Sequence, residues 1–123
     1  MPLSFVITRE DVLRTKTIEP GWYKVIVKNV TQEPAKTDGS TNTWIDMTIA
    51  EGPNKDVPLR RNFNEKAPGF ALPFIVALGG TISDQGATFD MERAKGKSLM
   101  VYVSNGMYNN KLQNNVDDFK AAS

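Results

Sequence analysis

Residues 66–78 read KAPGFALPFIVAL, a stretch in which apolar residues crowd together without the alternation of a strand. Pro68 and Gly69 suit a helix entry, and Gly79-Gly80 directly after Leu78 suit a helix exit. Pro73 has no backbone N–H to donate. It therefore either costs a hydrogen bond within the helix or marks its true start, with 68–72 as a lead-in. Strand patterns flank this segment on both sides, so its place in the order decides the fold.

On the N-terminal side, VPLRRNFN (57–64) reads as a strand whose early Pro58 suits a sheet edge or a bulge. The turn EGPNKD (51–56) separates it from TWIDMTIA (43–50), the cleanest alternation in the chain. There Ile45, Met47 and Ile49 share one face, and Trp44, Asp46 and Thr48 the other. Before it, QEPAKTDGSTN (32–42) is a long polar loop, and GWYKVIVKNVT (21–31) is a first strand. In that strand Tyr23, Val25 and Val27 form the core parity, and Trp22, Lys24, Ile26 and Lys28 a half-polar face.

On the C-terminal side, residues 81–96 form a polar connection with a turn of helix over 90–94. KSLMVYVS (97–104) is a fourth strand with Leu99, Val101 and Val103 inward, and NGMYN (105–109) is a hairpin turn. Residues 111–119 form a fifth strand anchored by Val116 and Phe119. Residues 1–20 read as a short strand over 4–8 and a helical turn over 9–14. Phe5, Phe70, Phe74 and Phe89 are assigned to the core. Three strands, a helix and two strands is the order of a mainly β, five-stranded OB-fold barrel with one helix between strands three and four. Strand patterning alone also allows a small β-sandwich or another barrel. The expected organisation is one domain over 1–123, with a core over 21–119 and an N-terminal extension over 1–20.

Composition narrows the chemistry. The chain has 123 residues, 40% apolar and 24% charged, as in ordinary globular domains. Fifteen basic residues against 14 acidic ones leave a net charge of +1. A nucleic-acid partner therefore requires cations grouped in space. The absence of Cys and His removes thiol nucleophiles, His-based triads, zinc fingers and disulfide scaffolds. No cofactor is expected and the chain reads as a non-enzyme. Gly96-Lys97-Ser98 copies the end of a P-loop, but the required earlier glycine is Met91 and a strand follows. The start MPLSFVITRE lacks the pattern of a signal peptide, and 69–80 is too short to span a bilayer, so a cytoplasmic location without membrane attachment is expected.

The order of several pieces carries a resemblance. These are Gly21-Trp22-Tyr23-Lys24-Val25, the Trp44-to-Ile49 alternation ending in Glu51-Gly52, and Arg60-Arg61-Asn62-Phe63. Leu78-Gly79-Gly80, Gly96-Lys97 leading into Leu99, Val101 and Val103, and a closing strand from Asn110-Lys111-Leu112 to Phe119 complete it. Over residues 21–119 the chain resembles the phage-encoded single-stranded DNA-binding proteins with an OB fold. The resemblance implies sequence-tolerant binding of single strands in phage DNA replication or recombination, in the host cytoplasm. Single-stranded DNA is then the principal partner, replication or recombination proteins are further ones, and a dimer is allowed. The familiar bacterial relatives end in an acidic tail that recruits partners. This chain ends DDFKAAS, which puts such recruitment in doubt. The competing function is a small β-barrel structural protein of a phage particle, which the low net charge suits.

Single-strand binders need a positive groove for phosphates and flat side chains on which bases stack. Trp22, Lys24, Lys28 and Trp44 share the outward parity of strands one and two, and adjacent strands are expected to bring them onto one surface. The alternative is that either tryptophan caps an end of the barrel or packs beneath residues 1–20. Arg60 and Arg61 face opposite ways by alternation. With Val57, Leu59 and Phe63 inward, Arg60 is the outward phosphate contact unless a bulge at Pro58 swaps the two. Tyr102 lies on the outward parity of strand four. Tyr108 in the turn between strands four and five, and Lys36 in the loop between strands one and two, complete the nucleic-acid-binding set.

Overall fold

The central strand, β1 (Gly21–Pro34), is long enough to serve two partners in turn. A computed structural model describes residues 6–34, 39–86, 89–108 and 110–122, the side chains of Glu10 and Tyr108 lying outside that description. The first part of β1 pairs antiparallel with β4 (Ser98–Tyr108), from Gly21↔Val103 to Ile26↔Ser98. The remainder pairs with β2 (Thr41–Ile49), from Val25↔Ile49 to Pro34↔Thr41. β3 (Pro58–Asn64) adds to β2 and β5 (Lys111–Ala121) adds to β4, giving the order β3-β2-β1-β4-β5. Pro58 sits opposite Thr48 at the first position of an edge strand, where its missing donor costs no ladder bond.

Alternation fills one side of this sheet. Val25, Val27, Ile45, Met47, Ile49, Leu99, Val101 and Val103 are fully buried, and Val116 and Phe119 are nearly so. A bulge at Lys28 keeps the pattern: Val27 pairs with Met47, Asn29 with Asp46, and Val30 returns to the interior opposite Ile45. Tyr23 is only partly buried; it packs against the core while its hydroxyl donates to the Glu19 carbonyl at 2.6 Å. Ile18 is buried and Leu13 packs against the core, so the expected extension over 1–20 supplies part of the interior.

The expected closed barrel is not made by hydrogen bonds. β3 and β5 are the two sheet edges, and among the described residues no ladder joins them. They are bridged by side chains instead. Phe63 of β3 and Phe119 of β5 have ring centroids 5.9 Å apart, and Phe74 lies 5.6 Å from the first and 5.2 Å from the second. What the fold shows is a mainly β chain with a five-stranded antiparallel sheet and one short helix after the third strand.

That helix is shorter than the span 66–78. Pro68–Ala71 form a 3₁₀ turn and α1, as we label the helix between β3 and β4, covers Leu72–Ala77. Pro73 lies in its first turn, where no donor is needed. It ends at Gly79, φ 87°, whose N–H donates to the Val76 carbonyl at 3.0 Å while Gly80 donates to Ile75 at 2.9 Å. This is the paired closure that a left-handed glycine permits. Phe74 is buried as expected, Phe89 packs against the core, and Phe5 lies outside the described residues. Phe70 is a correction: it is 67% exposed, because the 3₁₀ turn sends Ala71 inward in its place.

Other boundaries also move. A helix over Arg9–Arg14 appears as expected; of the expected strand over 4–8, residues 6–8 are not strand and residues 4–5 lie outside the described residues. Its first turn is held by reciprocal bonds between Thr8 and Asp11, and these hold the Asp11 carboxyl below its ordinary range. Within the expected hairpin turn over 105–109, residues 105–108 are strand instead and Asn109 lies outside the described residues; pairing runs out to Tyr108↔Lys111, and Asn110 adopts φ 63°. Among the described residues, no helix is long and apolar enough to cross a membrane.

Candidate nucleic-acid interface

β4 and β5 outrun β1. The last β1–β4 pair is Gly21↔Val103, so Ser104–Tyr108 and Lys111–Asn115 continue as a two-stranded arm. The N-terminal segment fastens to this arm through one side chain. Asn114 accepts from the Ile18 N–H at 3.0 Å and donates to the Lys16 carbonyl at 2.8 Å. At the other end of the segment, Arg9 bonds Asp56 in the β2–β3 turn at 2.8 Å. The segment thus runs from the β2–β3 turn to β5. Between it, the outer face of β2 and β3, and the arm lies a cleft.

Two adjoining hollows of about 620 and 720 Å³ make up this cleft. Their walls bring Arg14 and Lys16 from the N-terminal segment, Lys28 from the β1 bulge, Arg60 from β3 and Lys111 from β5 to one place. Trp44 stands among them, half-buried, with Asp46 as the acid lining the cleft. Such a concentration of cations beside an indole is what a net charge of +1 conceals.

The Trp44 geometry follows from register. Trp44 pairs with Thr31 of β1 and Asn62 of β3; Asp46, two residues on and on the same face, pairs with Arg60. Register is continuous from Pro58 to Asn64, so no bulge swaps the arginines: Arg60 is outward and exposed. The Arg60 Nε donates to Asp46 Oδ1 at 2.8 Å, and Glu33 Oε1 stands 4.0 Å from the guanidinium. Held there, the guanidinium carbon lies 4.1 Å from the Trp44 ring centroid, a cation on the face of the ring. Arg61 turns inward, 5.3 Å from the Phe63 ring centroid, with a buried Nε that has no hydrogen-bond partner among the described residues. Lys16, Lys28 and Lys111 have no ion-pair partner among the described residues.

The remaining expected residues separate from this cleft. Trp22 pairs with Tyr102 at the opposite end of β1, and Lys24 pairs with Met100. Nine residue steps of strand lead from Trp22 to Thr31, roughly 30 Å along β1. The two tryptophans therefore share an outward parity but not a single platform, which corrects the expected common surface. Lys36 lies outside the described residues. Tyr108 is a strand residue paired with Lys111, and its side chain lies outside the description. Arg14, Lys16, Lys111 and Asn114 were not legible as site residues, because the contacts that gather them span 96 and 98 positions of sequence. Alternation places Asp46 on the outward face; its hold on Arg60 is visible only through the β2–β3 register.

Gly96-Lys97-Ser98 forms the entry to β4, not a phosphate loop before a helix. Gly96 takes φ 82° and its N–H donates to the Val27 carbonyl at 2.8 Å, so its role is the turn onto β1. No protein-family model matches the chain, and no curated protein matches it.

Proposed function

We propose that this protein binds single-stranded DNA without base specificity and without catalysis, in a variant of the OB architecture whose edges are bridged by side chains. The carrying observation is the two-part cleft in which Trp44, capped by Arg60, shares its hollow with Arg14, Lys16 and Lys111, while Lys28 lines the adjoining one. A base stacks on the Trp44–Arg60 assembly, since both an indole and a guanidinium plane accept nucleobase faces. Phosphates lie against the lysines. The position suits the reading: OB folds bind oligonucleotides on the face of strands two and three and between the loops at its ends. A role in phage DNA replication or recombination rests on the resemblance over residues 21–119.

The test is a fluorescence titration with oligo-dT at several salt concentrations. Stacking quenches tryptophan emission, and log K falls with log salt by about 0.7 per phosphate neutralised. Equal-length dT, dC and dA should bind within a modest factor of one another. Absence of quenching and of binding at low salt would overturn the proposal in favour of a structural role in a phage particle.

A further inference from the structure

The cleft leaves a second aromatic cluster unused. At the far end of β1, Trp22 and Tyr102 meet edge to face, with ring centroids 5.5 Å apart and planes at 72°. The Lys120 Nζ stands 4.3 Å from the Trp22 ring centroid. Trp22 is 38% exposed, far more than any residue of the core. A cation on the face of an indole is the arrangement also found at Trp44, built here from different residues.

The outward side chains of β1 connect the two. They run Trp22, Lys24 and Ile26, then Lys28 at the bulge, and end at Thr31 beside Trp44. Lys28 lines the cleft, so cations occupy the path between the tryptophans. That path of roughly 30 Å is spanned by about nine nucleotides at a stacked rise of 3.4 Å, and by fewer in a drawn-out strand. The far cluster is the weaker one. Asp118 pairs opposite Tyr102, and Asp117 beside it accepts from the Ser104 hydroxyl, so Lys24 and Lys120 are partly offset there.

We propose that Trp22, Tyr102 and Lys120 form a second station for the same single strand, reached only by strands long enough to extend along β1 from Trp44. This rests on the reading of the Trp44 cleft as the primary site. It predicts a length threshold inside the range of about 4–16 nucleotides that one OB fold covers.

The chain has two tryptophans, so Trp22→Phe leaves Trp44 as the reporter and Trp44→Phe leaves Trp22. Titration of Trp22→Phe with dT of about 4 nucleotides should quench emission, whereas Trp44→Phe should be quenched only by dT of about 16. Trp22→Ala, checked by its melting curve, should weaken the long oligomer by about 5–150-fold and the short one hardly at all. Lys120→Ala should weaken only the long one, by less. If Trp44 is quenched and Trp22 is silent at every length, the second station is overturned and the primary site stands. Equal weakening at both lengths also overturns it. If neither tryptophan is quenched and no oligomer binds, the primary reading falls and the second station falls with it.

Discussion

Two groups of aromatic side chains in this protein have opposite neighbours. Phe63, Phe74 and Phe119 meet one another across the gap between the edge strands β3 and β5, and all three are buried. Trp44 and Trp22 lie on the outer face, each under a cation, Arg60 in one case and Lys120 in the other. Ring against ring in the buried interior bridges two strands that no hydrogen-bond ladder connects among the described residues. Ring against a solvated cation holds the indole in place yet leaves both partners able to exchange for a base or a phosphate. The same side-chain chemistry thus serves cohesion in one place and, on the proposed reading, recognition in the other.

Four experiments bear on that contrast. The largest effect is expected from Phe74→Ala, which removes the ring that touches both edge strands. It should cost about 3–5 kcal/mol of folding stability and leave oligo-dT affinity unchanged when measured below the melting transition. A folded variant with lost affinity would mean that the interior group shapes the cleft directly.

Trp44→Ala should show the opposite pattern, losing roughly 1–3 kcal/mol of binding with little change in melting temperature. A destabilised protein that still binds at wild-type affinity would move Trp44 into the first group. Asp46→Asn should tighten binding, because Asp46 competes with phosphate for Arg60. The pair is partly exposed, so the gain should be at most about 1 kcal/mol, with a salt slope steeper by about 0.7. Unchanged affinity and slope would show that Arg60 keeps Asp46 when the strand is bound.

The smallest effect concerns the wall of the cleft that carries Arg14 and Lys16. Hydrogen bonds from the Thr8 backbone and hydroxyl lower the Asp11 carboxyl below its ordinary range. Its contribution is therefore present above the unfolded carboxyl's pKa and is lost as pH falls through the lower folded value. Amide exchange of residues 9–14 should quicken on acidification through that window while the sheet stays protected. Asp11→Asn, which removes the titrating carboxyl, should abolish the pH dependence; its persistence would assign it to another group.

Alternation made much of the fold legible. Ile45, Met47 and Ile49, and Leu99, Val101 and Val103, face the core because side chains on a strand change sides at every residue. The arginine pair was legible for the same reason, and continuous β3 register leaves Arg60 outward. Phe70 was misplaced because a 3₁₀ turn and an α-helix present different faces for the same residues. Asn105 and Gly106 read as turn because both residue types form turns locally, whereas the pairing of β4 with β5 carries them as strand.

Readable from the sequence alone were the succession of three strands, a helix and two strands along the chain, the buried face of the strongly alternating stretches, and the presence of outward aromatics and cations. These depend on local periodicity and on residue type. Which of them meet is a matter of the folded chain. It set Trp22 and Trp44 at opposite ends of β1, laid Arg60 on Trp44 under the hold of Asp46, and carried Arg14, Lys16 and Lys111 to the same cleft. Such meetings depend on register and on contacts between residues nearly 100 positions apart, such as Asn114 with Lys16 and Ile18. Local chemistry limits what a side chain can do, and the folded chain's long-range pairing decides what it does it to.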